Sequence, residues 1–87
     1  MAVEVDAPRR QPSAMPPMRQ RLGKAIKRLR AKSGYSQEVL ADRAKLHRTT
    51  MSEIERGVSN VSVDIAERVA KALGVSLSQL FAEADKA

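Results

Sequence analysis

Cysteine is absent from this chain of 87 residues, which also has a single histidine. Without cysteine the chain can form neither a disulfide nor a thiolate metal site. One histidine also leaves a zinc site short of nitrogen ligands. The sequence therefore predicts no metal site and no cofactor.

Long apolar runs are missing as well. No stretch is long enough for the core of a signal peptide or for a membrane span, so we expect a cytoplasmic protein. The length fits one domain, whose core is too modest to enclose a deep cleft. We therefore do not expect an enzyme, and no small-molecule ligand domain is apparent.

Aromatic residues are scarce, because Tyr35 and Phe81 are the only two. Stacking of single-stranded nucleic acid on an aromatic platform is therefore not expected. The formal net charge of +6 favours a polyanionic partner, most often nucleic acid. Between residues 19 and 32 no residue is acidic, and the basic ones are Arg19, Arg21, Lys24, Lys27, Arg28, Arg30 and Lys32. A basic helix of this kind could equally lie on an anionic membrane surface.

The two ends of the chain are predicted to lie outside the folded domain. Residues 1–18, MAVEVDAPRRQPSAMPPM, contain all four prolines and show no helical periodicity. We predict a disordered arm there, either inert or, through Arg9 and Arg10, in contact with DNA. The domain then covers residues 19–82, and residues 83–87 form a C-terminal tail.

The sequence pattern predicts five short helices in the domain. In the first, Leu22, Ile26 and Leu29 follow the i, i+4, i+7 spacing of one helix face. Serines placed as N-caps and glycines placed just after a last turn divide the rest of the sequence. The predicted helices cover residues 19–32, 37–44, 48–56 and 63–73, and a fifth begins after Ser76, where Gln79 completes a capping box. Because β-type alternation is absent, the predicted fold is an all-α domain.

The segment LHRTTMSEIERG, residues 46–57, places the only histidine beside hydroxyl and carboxylate side chains. These are the residue types of a hydrolytic triad. On a helix, however, the five-residue spacing turns the side chains of His47 and Ser52 about 140° apart. No glycine-flanked serine lies on a strand-to-helix turn either, so catalysis by this cluster is disfavoured.

The same segment fits an amphipathic helix. Met51 and Ile54 fall on one side, which we expect to pack on the core. The opposite side carries four polar side chains near the helix start: Arg48, Thr49, Ser52 and Glu53. Such a face suits the major groove of DNA, although an ordinary solvated surface fits the geometry equally well.

The segment from Ser36 to Gly57, SQEVLADRAKLHRTTMSEIERG, resembles the helix-turn-helix of the Xre family of phage-repressor-like DNA-binding proteins. The resemblance continues through VSVDIAERVAKALGVSLSQLF to Phe81 and so covers most of the chain. The small size and the LHRT and IERG motifs also resemble restriction–modification controller proteins. The resemblance implies a phage-repressor-like fold and sequence-specific binding of double-stranded DNA.

The resemblance also implies roles for single side chains. Those that would contact base edges are Arg48, Thr49, Ser52 and Glu53. Those that would contact the DNA backbone are Gln37, Arg43, His47, Ser59 and Asn60. Arg48 is suited to guanine, a threonine methyl to thymine, and Glu53 to cytosine N4. Glu53 could instead act only by rejecting wrong sequences.

A structural ion pair and two departures follow from the same comparison. Family members pair the glutamate at Glu55 with an arginine late in the first helix, here Arg30. Lys45 stands where the family usually has a left-handed glycine, and a side chain there costs about 1–2 kcal/mol unless the turn differs. Val61 stands where the family often has proline.

Dimerisation is expected because one recognition helix contacts too few base pairs to select a site. The predicted dimer contacts are Ile65, Leu77, Leu80 and Phe81, although Leu77 and Leu80 could instead complete the monomer core. The predicted function is a homodimeric transcriptional regulator on a two-fold symmetric operator, with no membrane partner. A restriction–modification controller and an antitoxin-type repressor of its own operon are alternatives within DNA binding. A basic adaptor for protein contacts is the alternative outside it.

Overall fold

The computed structural model describes residues 15–86 of the chain. Within this range there are five α-helices and no strand, so the predicted all-α fold is confirmed. The helices are α1 (Met18–Ser33), α2 (Gln37–Arg43), α3 (Arg48–Arg56), α4 (Val63–Leu73) and α5 (Leu77–Asp85). The first four begin and end within one residue of their predicted bounds. Over the described residues, no helix combines the length and the apolar character that a membrane span requires.

Serine side chains start three of the helices. Ser36, Ser62 and Ser76 each accept a hydrogen bond from a backbone N–H three residues ahead, at 3.0–3.1 Å. The side chain of Gln79 accepts from the backbone N–H of Ser76 at 2.8 Å, which completes the predicted capping box. Because each such cap stabilises a helix start by about 1 kcal/mol, local chemistry fixes where α2, α4 and α5 begin.

The core takes one large apolar side chain from every helix. The five largest side chains that are fully buried are Ile26, Leu40, Met51, Val69 and Leu80, in the order α1 to α5. Fully burying a side chain of this size stabilises the fold by about 1.5–3 kcal/mol. The helices therefore share a single core, and no helix can leave it without exposing one of these side chains.

The C-terminal boundary of the domain lies further along the chain than predicted. Residues from 83 onward were expected to form a tail, but α5 continues to Asp85 and Ala84 is fully buried. Arg28 on α1 donates to a carboxylate oxygen of Glu83 at 3.2 Å and to its backbone carbonyl at 2.9 Å. These contacts join the last turn of α5 to α1. At the other end, residues 1–14 of the predicted arm lie outside the described residues.

The turn between α2 and α3 adopts the left-handed conformation in spite of its lysine. Lys45 has φ 58° and is the one non-glycine residue with positive φ in the described part of the chain. Its N–H donates to the carbonyl of Asp42 at 3.1 Å, and the N–H of Leu46 donates to that of Ala41 at 2.8 Å. The turn thus has the hydrogen bonds of a glycine-type helix end, and the departure from the family pattern leaves the backbone conformation in place.

Helix α1 passes very close to α3 at a glycine. A Cβ atom built on Gly23 would lie 2.8 Å from the carbonyl oxygen of Glu55 and still closer to that of Ile54. Both obstacles are backbone atoms, which cannot rotate away. Gly23 therefore lets the two helices approach more closely than any residue with a side chain would allow.

Candidate nucleic-acid interface

Helix α3 is oriented by the two apolar side chains on its inner face. Met51 is fully buried and Ile54 is 2% exposed. The other side of the helix consequently faces outward, with Arg48 and Thr49 exposed and the next polar pair, Ser52 and Glu53, half-buried.

A shallow depression in the surface brings α2 and α3 together. Its lining residues are Gln37, Arg48, Thr49, Ser52 and Arg56. Three of the four predicted base-contacting residues therefore share one surface with the predicted backbone contact on α2, whereas Glu53 lies outside this lining.

Arg56 belongs to this depression and was missing from the sequence-based site. The helical wheel contains the signal that could have found it, because 100° steps place Arg56 between Ser52 and Thr49. The depression thus carries two cationic side chains, Arg48 and Arg56, beside two hydroxyl groups and an amide.

A buried carboxylate links three elements behind this surface. Glu55 is 8% exposed, and its two oxygens accept from Nε and Nη2 of Arg30 at 2.6 and 2.9 Å. Arg30 and Glu55 therefore form an ion pair, and its bidentate geometry is that of a strong guanidinium–carboxylate contact. Hydrogen bonding to Glu55 raises the pKa of Arg30 above its ordinary value, against the opposing effect of burial.

The same carboxylate also holds a residue of the surface depression. The side-chain amide Nε2 of Gln37 donates to Glu55 Oε1 at 3.1 Å. Arg30 in turn donates to the backbone carbonyl of Tyr35 at 3.1 Å, in the loop between α1 and α2. Glu55 therefore joins α1, α2 and α3, and it fixes the Gln37 amide at the edge of the outward face.

Arg43 does not lie with the α3 residues. Its Nε donates to the backbone carbonyl of Ala72 at 3.2 Å, and its guanidinium carbon lies 4.7 Å from the centre of the Tyr35 ring. It lines a different depression, together with Lys45, Arg68 and Lys71. Arg43 thus contacts α4 and Tyr35 instead of the α3 residues, and its role as a phosphate contact stays a prediction.

The remaining predicted backbone contacts occupy separate positions. His47 is the N-cap residue of α3, is exposed, and makes no side-chain capping bond. Ser59 is half-buried, and Asn60 is exposed beside the start of α1, where it lines a depression with Arg19 and Phe81. His47 thus adjoins the α3 surface, whereas Asn60 lies beside another one.

In the described part of the chain, no hydrogen bond joins His47 to Ser52 or Thr49. Across the same residues, no group of three histidine, cysteine or acidic side chains is placed to hold a metal ion.

The predicted dimer residues divide into two groups. Leu80 is fully buried within its own chain, so its prediction as a dimer contact is wrong, and it completes the monomer core instead. Ile65, Leu77 and Phe81 are half-buried, which leaves part of each side chain at the surface. Ile65 and Phe81 pack against the edge of the core.

The comparison with protein families decides what kind of domain this is. A family model described as helix-turn-helix matches residues 26–80, from the middle of α1 to the middle of α5. The chain belongs to the Xre-like helix-turn-helix family. This domain therefore has α2 and α3 as its helix-turn-helix, and the depression described above lies on that motif.

Individual relatives agree with this membership. Control protein C.BamHI of Bacillus amyloliquefaciens is 49% identical over 59 residues, which are 67% of this chain and 73% of that protein. The crystal structure of the clp gene regulator ClgR from Corynebacterium glutamicum matches with a TM-score of 0.79 and 33% identity, over 83% of this chain and 94% of that one. The restriction–modification controller protein C.AhdI from Aeromonas hydrophila matches with a TM-score of 0.69 and 34% identity, over 71% and 94% of the two chains.

These relatives also set the class of activity. Control proteins and gene regulators make up the group, and none of those named is an enzyme. The chain is therefore a DNA-binding transcriptional regulator.

Proposed function

We propose that the regulator binds a specific double-stranded operator as a homodimer, with α3 of each protomer in the major groove. The observation that carries this proposal is the shared depression, where side chains of α3 and Gln37 of α2 face outward together. A major groove accepts one α-helix and presents donors, acceptors and thymine methyl groups to it. A non-enzymatic role follows from this function, as does a cytoplasmic location.

Base reading is assigned to the first turns of α3. Arg48 can donate two hydrogen bonds to a guanine, and the methyl group of Thr49 can contact a thymine. Ser52 can bond either kind of base, and Glu53 at the rim can accept from cytosine or exclude other bases. Arg56 is added to this surface as a cation near the end of the helix.

Backbone contacts are assigned to residues around α3. Gln37, held by Glu55, keeps one amide hydrogen that can donate to a phosphate. His47 at the start of α3 and Ser59 and Asn60 in the loop after it complete the set. Together these contacts would fix the register of α3 on the duplex without reading sequence.

We further propose that the operator lies upstream of restriction–modification genes. The support is the identity to C.BamHI, a control protein, and the structural match to C.AhdI, a restriction–modification controller. A match of similar quality to the clp gene regulator makes the genes beside the selected operator the deciding observation. Fragments of genomic DNA bound by the regulator would be selected and sequenced, and genes unrelated to restriction or modification would overturn this part.

The Arg48→Ala variant tests base reading. We expect it to lose affinity for the selected operator by about 1–3 kcal/mol, roughly 5- to 150-fold, while binding to random duplex falls far less. Fluorescence anisotropy with both duplexes over a range of salt concentrations measures this. Lys32→Ala is the control, since it removes the same charge from an exposed position at the end of α1. Equal losses on both duplexes would make Arg48 a backbone contact.

A further inference from the structure

A guanidinium group from α4 closes over the turn that connects α2 to α3. Nε of Arg68 donates to the backbone carbonyl of Ala44 at 3.1 Å, and Nη2 donates to the carbonyl of Lys45. One planar side chain thus holds two successive carbonyls, on either side of the residue in the left-handed conformation.

This contact suits the geometry and the charge of the turn. The guanidinium fork presents donors in a fixed plane, so two bonds to neighbouring carbonyls restrict the peptide planes on both sides of Lys45. The carbonyls at the end of α2 also carry partial negative charge, which a cation stabilises. A non-glycine residue that prefers other conformations is thereby kept at positive φ.

The turn determines how α3 is presented. Lys45 lies two residues before His47, the N-cap of α3, and its backbone dihedrals set the angle between α2 and α3. The recognition surface consists of Gln37 on one of these helices and Arg48, Thr49 and Ser52 on the other. A change in the turn would move the two halves of that surface relative to each other.

We propose that Arg68 is a positioning residue for DNA recognition, which holds the Lys45 turn in the left-handed conformation and so fixes α3 relative to α2. The inference rests on the proposed function of the α3 surface. It is distinct from a direct contact, because the guanidinium is directed at carbonyls of its own chain.

The test compares Arg68→Met in two backgrounds, the natural chain and the Lys45→Gly variant. Glycine adopts positive φ without strain, so it should make the clamp dispensable. With Lys45 present, we expect Arg68→Met to lower the operator-over-random affinity ratio about tenfold, a typical coupling between neighbouring residues. In the glycine background the loss should shrink to about twofold. Equal losses in both backgrounds would overturn the proposal.

Two controls separate the clamp from charge and from misfolding. Lys71→Met removes a cation from the same helix and the same surface depression, and it should leave the ratio unchanged. An equal effect of Lys71→Met would assign Arg68 to charge alone and contradict the inference. Arg68→Lys keeps the charge without the fork, and it should fall between Arg68→Met and the natural chain.

A measurement without DNA tests the clamp independently of the proposed function. Hydrogen exchange at the Leu46 amide, which bonds to the carbonyl of Ala41 across the turn, should speed up in Arg68→Met and recover when Lys45 is also glycine. Unchanged exchange would refute the clamp. If exchange responds but the natural regulator prefers no duplex sequence, the proposed function fails while the clamp stands.

Discussion

Glu55 shows how a single side chain can support the proposed DNA-binding surface of α3 without itself facing DNA. It points away from the outward face of α3, and its carboxylate joins Arg30 to Gln37. Removing one partner of such a pair leaves a buried group without compensation, which costs more than the pair itself contributes.

Glu55→Ala is expected to lower both stability and affinity for DNA. The substitution would leave the guanidinium of Arg30, whose side chain is 16% exposed, without its carboxylate partner. It would also remove the hydrogen-bond acceptor of the Gln37 amide. The free energy of unfolding should fall by about 3–5 kcal/mol, as measured by urea denaturation. Glu53→Ala is the matched control for stability alone, since that half-buried carboxylate makes no ion pair among the described residues. Lost binding with unchanged stability would contradict this architectural role.

At the scale of the helices, local signals predict a great deal. Serine caps placed the starts of α2 and α4 within one residue, and glycine stops placed the ends of α3 and α4 equally well, because a cap depends on neighbours three residues away. The inner face of α3 also followed from periodicity alone. These signals act within one or two turns of a helix, so the interacting residues are close together in the sequence.

Side-chain contacts between helices are less predictable from the sequence. Arg43 and Arg68 look like ordinary surface cations in the sequence, yet each donates to backbone carbonyls more than 20 residues away. Gly23 gave no signal either, because its role depends on the backbone of α3. Such roles depend on the packing angle between helices, which helical periodicity does not determine. The ion pair of Arg30 with Glu55 was the exception, and it came from family resemblance.

Gly23→Ala is expected to destabilise the contact between α1 and α3. Alanine would favour a helix over glycine by about 1 kcal/mol if space were open, but the added methyl would meet two carbonyl oxygens. We expect a net loss of roughly 1–3 kcal/mol, as in overpacked cores, and faster hydrogen exchange in α3. Gly34→Ala is the comparison for packing, because nothing lies within 4 Å of its added Cβ and any loss of stability there comes from its φ of 76°. A more stable Gly23→Ala protein would refute the close approach.

The contact between α1 and α5 should respond to acid through Glu83. Hydrogen bonds from Arg28 and then from Lys86 lower the pKa of this carboxyl from its ordinary value of 4.5. A lowered pKa in the folded state means that the pair stabilises the fold fully above pH 4.5 and loses this effect as the pH falls through the lowered pKa.

The Glu83→Gln variant isolates that effect. Its Tm should lie below that of the natural chain at neutral pH, and the difference should narrow below about pH 4.5 and vanish in stronger acid. Thermal denaturation over a pH series measures it. Glu67→Gln, at an exposed position on α4, should show no such difference. A difference in Tm that persists or widens in acid would rule out the ion pair as its cause.

For the whole molecule, the proposed dimer depends on half-buried apolar residues of α4 and α5. Leu80 is internal, so the proposed dimer would use the other predicted contacts, which are Phe81, Leu77 and Ile65. Two protomers related by a two-fold axis could then place their α3 helices about 34–36 Å apart, on one face of the duplex.

Phe81→Asp is therefore expected to produce a monomer that binds the operator weakly. A charge at this position would have to be desolvated in the interface, which opposes association. Sedimentation velocity gives the oligomeric state, and circular dichroism checks that the five helices remain. Ser78→Asp adds the same charge to an exposed position of α5 and should remain dimeric. A Phe81→Asp protein with the oligomeric state of the natural chain would exclude this surface from the interface.

The stacking of Arg43 on Tyr35 has a practical consequence for how the protein can be observed. Tyr35 is the only tyrosine, and the chain has no tryptophan. Its phenol ring belongs to the loop between α1 and α2, and the Arg43 guanidinium carbon lies 4.7 Å from the ring centre. Tyrosine emission therefore comes from one site, at the junction between α1 and α2. The protein carries its own optical reporter, and loosening of this junction can be followed by fluorescence without attaching a dye.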